Sequence, residues 1–269
     1  FIQFFSGHTG QAEYFSFEQK KFSSNTKEFH VSIADSSFSL NHMSLHLVSE
    51  TQTIDADVSF TAIKSWPVSF LSPGVMGPFR FIPFMECYHG VLSFDHAIEG
   101  SITINGDKID MTGGKGYIEK DWGTSMPSSW IWMQTNHFDK ENVSLFGSIA
   151  NIPWLGNSFP GFIFGLYFEG KTYRFATYTG AKISFLEVTD NHIRIHIEDR
   201  KLRLLIYADR EKGADLPAPL NGAMTSKVNE SLRSKIAVEL INKKDEHVIF
   251  SGTGRNAGLE FVGKTSELT

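Results

Sequence analysis

The densest run of chemically capable residues lies between positions 113 and 138. It reads Gly-Gly-Lys-Gly-Tyr-Ile-Glu-Lys-Asp-Trp-Gly, and after a short gap Ser-Trp-Ile-Trp-Met-Gln-Thr-Asn-His-Phe. In an extended chain successive side chains point to opposite faces, so Tyr117, Glu119 and Asp121 share one face. By the same rule Trp130, Trp132, Gln134 and Asn136 share a face of the next strand. Two carboxyl groups side by side can do acid–base work if the surroundings hold a proton on one of them. Two tryptophans in line with two amides suit a barrel interior that holds an apolar ligand and orients it with a few polar groups. They suit equally a packed core whose amides cap a strand end.

A second run, Glu86-Cys87-Tyr88-His89-Gly90, follows Phe84 and Met85. Glu86 and Tyr88 point one way, Cys87 and His89 the other. No nucleophile signature surrounds Cys87, so it reads as a small buried thiol. The nearest histidine pairs are His42/His46 and His192/His196. Neither has the adjacent glutamate and helical context of a zinc-peptidase motif, and no metal site is expected. The Gly113-Gly-Lys-Gly segment lacks phosphate-loop spacing, and no Gly-x-Ser-x-Gly elbow occurs.

These residues need elements to position them. The chain has 269 residues, and 24 Phe, 7 Tyr and 5 Trp stand against only 14 Ala. Aromatic residues favour pleated sheet, whereas alanine is the best helix former. Period-two alternation runs through Ile193, Ile195 and Ile197, then through Leu202, Leu204 and Ile206, with Leu205 breaking the pattern. Asn105-Gly106, between Ile102/Ile104 and Ile109/Met111, signals a tight hairpin. Ile236, Val238 and Leu240 also alternate, although helical spacing can be drawn through Leu232, Ile236 and Leu240. Proline and glycine cluster at 65–83 and 212–224, which read as irregular loops. The expected class is all-β: two antiparallel β-barrels, 1–123 and 124–269, with at most one or two short helices.

A net charge of −5 speaks against nucleic acid as a partner. A single cysteine excludes an intrachain disulfide and fits a reducing compartment, so the expected location is the cytoplasm. No apolar run reaches the ~18 residues of a spanning helix. Phe1 is not a natural start, and an upstream segment is expected.

The segment Glu119-Lys120-Asp121-Trp122-Gly123, followed by Trp130-Ile131-Trp132-Met133-Gln134-Thr135-Asn136, resembles the tocopherol cyclase family. Ser72-Pro73-Gly74, the run from Pro83 to Gly90, and Tyr173-Arg174-Phe175-Ala176-Thr177-Tyr178 extend the likeness. The plant members carry asparagine where Asp121 stands. The family is similar in turn to the carotenoid 1,2-hydratases. The resemblance implies two lipocalin-like barrels and a cofactor-independent ring closure, in which an acid protonates the prenyl double bond of a quinol and the phenol oxygen captures the cation. On that reading Asp121 and Glu119 are the candidate acids. Trp122, Trp130 and Trp132 line the cavity, and Gln134, Asn136, Tyr178, Tyr88 and His89 complete the ligand site. The partner is a hydrophobic small molecule: a prenylated quinol, an isoprenoid or a fatty lipid. A non-catalytic carrier of such a lipid is the alternative. The Phe-rich stretch around Phe79, Phe81 and Phe84 offers a membrane-touching lip, a partner surface or plain core.

Overall fold

A computed structural model of the chain describes every residue except Phe84, Asn221 and Gly222. The architecture is the expected all-β one of lipocalin-like antiparallel sheets. Among the described residues the only helical turns are four short 3₁₀ segments, at Gln19–Lys21, Gly77–Phe81, Thr177–Thr179 and Thr265–Glu267.

The chain forms two compact units, each discontinuous in sequence. The first comprises residues 1–5, 12–65 and 92–118; the second comprises 6–11, 66–91 and 119–269. The strands Cys87–Ile104 and Gly114–Gly123 therefore contribute residues 87–91 and 119–123 to the second unit.

In the first unit a meander runs through Phe22–Ser24, His30–Ile33, Ser36–Ser39, His42–Val48 and Thr53–Lys64. Its core gathers Leu45, Leu47, Ile54 and Ala56 with Ile2 and Phe15. The Asn105-Gly106 turn has the backbone its sequence demands. Both residues have positive φ, 52° and 91°, and Ile104 pairs with Asp107 across the turn. His42 and His46 face Asp57 and Asp55 separately on the exposed side of this sheet.

The second unit is built on an eleven-stranded antiparallel sheet. Ile193, Ile195 and Ile197 are fully buried and sit opposite Ala208, Ile206 and Leu204 on the next strand. Those three in turn sit opposite Ile236, Val238 and Leu240. One face of three strands thus zips into a continuous apolar layer, each cross-strand pair adding a few tenths to 1 kcal/mol beyond burial. Leu205 falls on the outer face, which explains its break in the pattern. The segment with helical spacing is part of the strand Ala223–Asn242, not a helix. Register shifts on either side of Ser234 interrupt the alternation of this strand.

The 212–224 segment is not the irregular loop its prolines suggested. Ala214–Leu220 is a strand that, among the described residues, pairs with Ala223–Asn242 alone. Proline has no backbone N–H to give a ladder and is confined to edge strands such as this one. The 65–83 segment does follow an irregular path. Trp66, Val75 and Met76 are buried, while Val68, Phe70, Leu71 and Phe81 are exposed. Phe84 lies outside the described residues. The segment is pinned at Gly77, whose φ is 55° and where a Cβ would stand 2.7 Å from the Tyr178 ring. Gly77→Ala is expected to cost about 1–3 kcal/mol through backbone strain and this clash, read as a lowered midpoint in thermal unfolding.

No helix among the described residues is long and apolar enough to cross a membrane.

Candidate active site

Several strands of the second unit converge on one cleft. Alternation along Gly114–Gly123 sends Glu119 and Asp121 to one side and Lys120 and Trp122 to the other. Cys87 and His89 come from the start of Cys87–Ile104. Trp130 and Trp132 come from Trp130–Thr135, and Trp132 sits directly opposite Glu260 of His247–Val262. Glu260 is in turn opposite Glu230. Of these residues, all but Glu230, Lys120 and Trp122 border a cavity of about 150 Å³, completed by apolar side chains that include Met76, Phe79, Ile152 and Phe162. A cavity of that size, lined by apolar groups, takes a benzene-sized ring. It is smaller than the ~300–1,000 Å³ pockets that enclose a drug-sized ligand.

The polar wall is a linked set. Asp121 Oδ1 lies 2.5 Å from His89 Nδ1. Glu119 Oε2 accepts a hydrogen bond of 3.0 Å from Trp132 Nε1 and lies 3.5 Å from His89 Nε2. Glu260 Oε2 accepts one of 2.7 Å from Trp130 Nε1. The His89 ring is stacked on Phe146, with centroids 5.1 Å apart and planes 10° from parallel, which fixes its orientation. His89 Nε2 is buried and has no hydrogen-bond partner among the described residues. At 3.5 Å, Glu119 is a charge facing that nitrogen rather than an acceptor bonded to it. A ligand atom entering the gap would meet both.

Burial opposes a charge on His89, but the Asp121 hydrogen bond and the Glu119 and Asp121 charges outweigh it and hold the ring above its ordinary value. Glu230 and Glu260 are both pushed upward, first by burial. The charge of Glu260 adds to this at Glu230, and the charges of Glu119 and Asp121 add to it at Glu260. Burial pushes the Cys87 thiol up to about 12, so it stays protonated and is no nucleophile. The donor atoms of His89, Glu119 and Asp121 lie within 4.8 Å of one another, within reach of one cation. Nδ1 of His89 is taken by Asp121, which leaves Nε2 as the nitrogen a cation would meet.

These shifts carry a sign. His89, Glu230 and Glu260 bind protons more tightly in the folded chain than in the unfolded one. Their contribution to stability is therefore full below the unfolded values, about 6.5 for imidazole and about 4.3 for carboxyl, and is lost as pH rises through the raised folded values. The unfolding midpoint is expected to fall as pH rises from about 4.5 to about 8, and Glu260→Gln to flatten that slope. Calorimetry across this range checks it.

The remaining candidates fall into two groups. Trp130 and Trp132 border the cavity with His89. Trp122 faces the other side of its strand, stacked on Tyr88 at 5.5 Å and covered by the Arg80 and Lys120 cations. Tyr88 donates its hydroxyl to the Ile82 carbonyl, and Tyr178 donates its own to the Val75 carbonyl. Both tyrosines thereby anchor the 65–83 segment. Asn136 is buried, and Gln134 Nε2 is buried without a hydrogen-bond partner among the described residues. Neither borders the cavity. Sequence reasoning missed Glu230 and Glu260, which lie far from the motif in sequence. Their only signal is an acidic residue within a strand of otherwise unremarkable alternation.

Comparison with known proteins places this geometry among relatives. The family model described as "Tocopherol cyclase-like" matches residues 7–263. A probable chloroplastic tocopherol cyclase of Oryza sativa subsp. japonica is 24% identical over 229 residues, covering 80% of this chain and 48% of the rice protein. The chloroplastic tocopherol cyclase of Zea mays is 26% identical over 140 residues, 49% of this chain and 29% of that protein. The chain thus spans about half the length of the rice relative. Among solved structures, CghA with Sch210972 aligns with a TM-score of 0.51 at 11% identity, over 90% of this chain and 74% of that one. Kievitone hydratase from Nectria haematococca aligns at 0.47 and 13% identity, over 83% and 66%. At 11% identity the likeness to CghA is one of fold alone.

Proposed function

Since the chain belongs to the tocopherol cyclase-like family, we propose that it acts on a prenylated quinol or a similar isoprenoid lipid, closing a ring by proton addition in the cavity of the second unit. One observation carries this reading. Asp121 meets a partly buried histidine, and Glu119 faces the same histidine and accepts from a tryptophan N–H, beside a largely apolar cavity. Lys120 lies over Trp122.

The roles follow from the geometry. Asp121 holds His89 by Nδ1 and favours its charged form. Glu119, facing Nε2, takes that proton and presents it as a carboxylic acid to the prenyl double bond. A C–H bond forms, the alkene π bond breaks, and a tertiary cation results. The faces of Trp130 and Trp132 stabilise that cation. The phenol oxygen closes on it, and the phenol proton returns to Glu119 and His89. Atoms and charge balance with no added reductant, oxidant or cofactor. A ring-sized cavity suits the reacting head and the first prenyl carbons, with the rest of the chain leaving through the mouth.

The alternative is a carrier using the same cleft without turnover. Organic extraction of the protein from its own host, with mass spectrometry of the bound lipid, separates the two. A prenylated quinol or its ring-closed product supports the cyclase reading. A saturated lipid, which has no alkene to protonate, favours the carrier.

A further inference from the structure

Two tight turns of the second unit display apolar side chains to solvent. Ser69 and Ser72 exchange backbone hydrogen bonds of 2.9 and 3.1 Å, which leaves Phe70 and Leu71 as the tip of a two-residue turn, 92% and 72% exposed. The other turn joins Ser144–Trp154 to Asn157–Phe168 through Leu155 and Gly156, whose φ values are 51° and 79°. That backbone favours asparagine or aspartate before the glycine, as at Asn105-Gly106. Leucine there is strained, and it is exposed. Burial rewards neither tip, and turn chemistry opposes the second. Both turns belong to segments that wall the cavity. Phe79 borders the cavity, and Phe81, two residues on, is exposed. Ile152 borders it too, and Trp154, two residues on, donates Nε1 to the Pro83 carbonyl at 3.2 Å, tying this hairpin to the 65–83 segment. Charge is missing from both. Residues 142–168 include no charged side chain, and Arg80 is the only one in 65–85, in a chain that is 20% charged.

We propose that the Phe70-Leu71 tip, Phe81 and Leu155 dip into the surface of a lipid bilayer, and so hold the elements that wall the cavity at the membrane interface. A protein partner is the poorer fit. Protein interfaces ring their apolar centre with polar groups that find hydrogen-bond partners, whereas these turns offer apolar tips on charge-free segments. A bilayer takes such tips without a matching shape, and a half-exposed tryptophan such as Trp154 suits the headgroup level. The lone charge, Arg80, is an exposed cation, the sign that meets lipid phosphate. The proposal goes beyond the ring-closure reading and holds equally for a carrier, because it concerns where the protein works and not what it does there.

The test is flotation with vesicles of phosphatidylcholine alone and of phosphatidylcholine mixed with anionic phosphatidylglycerol, neither containing a quinol. Wild-type protein is expected to float with both, and more with the anionic vesicles at low salt. Phe70→Ser combined with Leu71→Ser should lower partitioning by about tenfold or more, the worth of withdrawing two apolar side chains from lipid. Leu155→Asn should also lower it while raising the thermal unfolding midpoint, because asparagine suits the positive φ. Lipid binding lost from a more stable protein is not misfolding. Wild-type protein that stays at the bottom of the gradient with both vesicles overturns the proposal. So does unchanged flotation of the Phe70/Leu71 and Leu155 variants. A dimer in lipid-free sedimentation that the same substitutions abolish also overturns it, and makes the patch an interface between two copies of the chain. Protein that closes the ring yet never floats keeps the cyclase reading and removes this proposal. Protein that floats as described but closes no ring does the reverse.

Discussion

Glu119→Gln is expected to lower the rate of ring closure by about 10²–10⁴-fold, the usual span for removing a positioned general acid. The amide keeps the volume of the carboxyl group and can still meet the Trp132 N–H through its oxygen. It cannot pass a proton from His89 to an alkene. Ligand binding should therefore change little while kcat falls. Asp121→Asn acts one step further back. It removes the charge that holds His89 Nδ1 at 2.5 Å and one of the two charges that raise the ring's proton affinity. Its effect should be smaller and should depend on pH, with activity retained best on the acid side, where the ring is charged without help. Single-turnover kinetics across pH distinguishes the two. An equal, pH-independent loss in both variants would mean that they had damaged the fold rather than the proton path.

Phe146→Ala is expected to remove about 3–5 kcal/mol of stability, the range for emptying a large aromatic from a packed core. Phe146 is fully buried, supports the His89 ring from below and meets the edge of Trp66 at 6.4 Å. The loss is thus felt in the core and in the site together. Phe146→Leu refills most of the volume but gives up the stacked face, so it should recover most of the stability while His89 remains poorly oriented. Chemical denaturation of both variants, set beside their activities, checks this. Recovery of activity in step with stability would show that stacking on Phe146 is not what aims the imidazole.

The all-β class and the strand faces were legible because alternation is a local property. Ile193, Ile195 and Ile197 announce their buried face without knowledge of any partner, and Asn105-Gly106 dictates its own turn. The same rule sets Glu119 and Asp121 on one side of their strand. It also sets Trp122 on the opposite side, away from both carboxylates, although its place in the motif had grouped it with the cavity. Partners across the sheet were not legible. Glu230 and Glu260 are brought together by a ladder between strands whose register depends on bulges around Ser234, and no local pattern records those bulges. Ala214–Leu220 misled in the opposite way. Its prolines argue for a loop, and only its position at the edge of the sheet permits a strand.

The central claim is that the cavity of the second unit delivers a proton to a prenyl double bond. Its most direct test is incubation of the intact protein with a prenylated quinol in heavy water, followed by mass spectrometry after the hydroxyl deuterium has been washed back to hydrogen. The account predicts a ring-closed isomer carrying one carbon-bound deuterium, formed by wild type and nearly absent with Glu119→Gln. Quinol recovered unchanged and bound, or a product without carbon-bound deuterium, would contradict it.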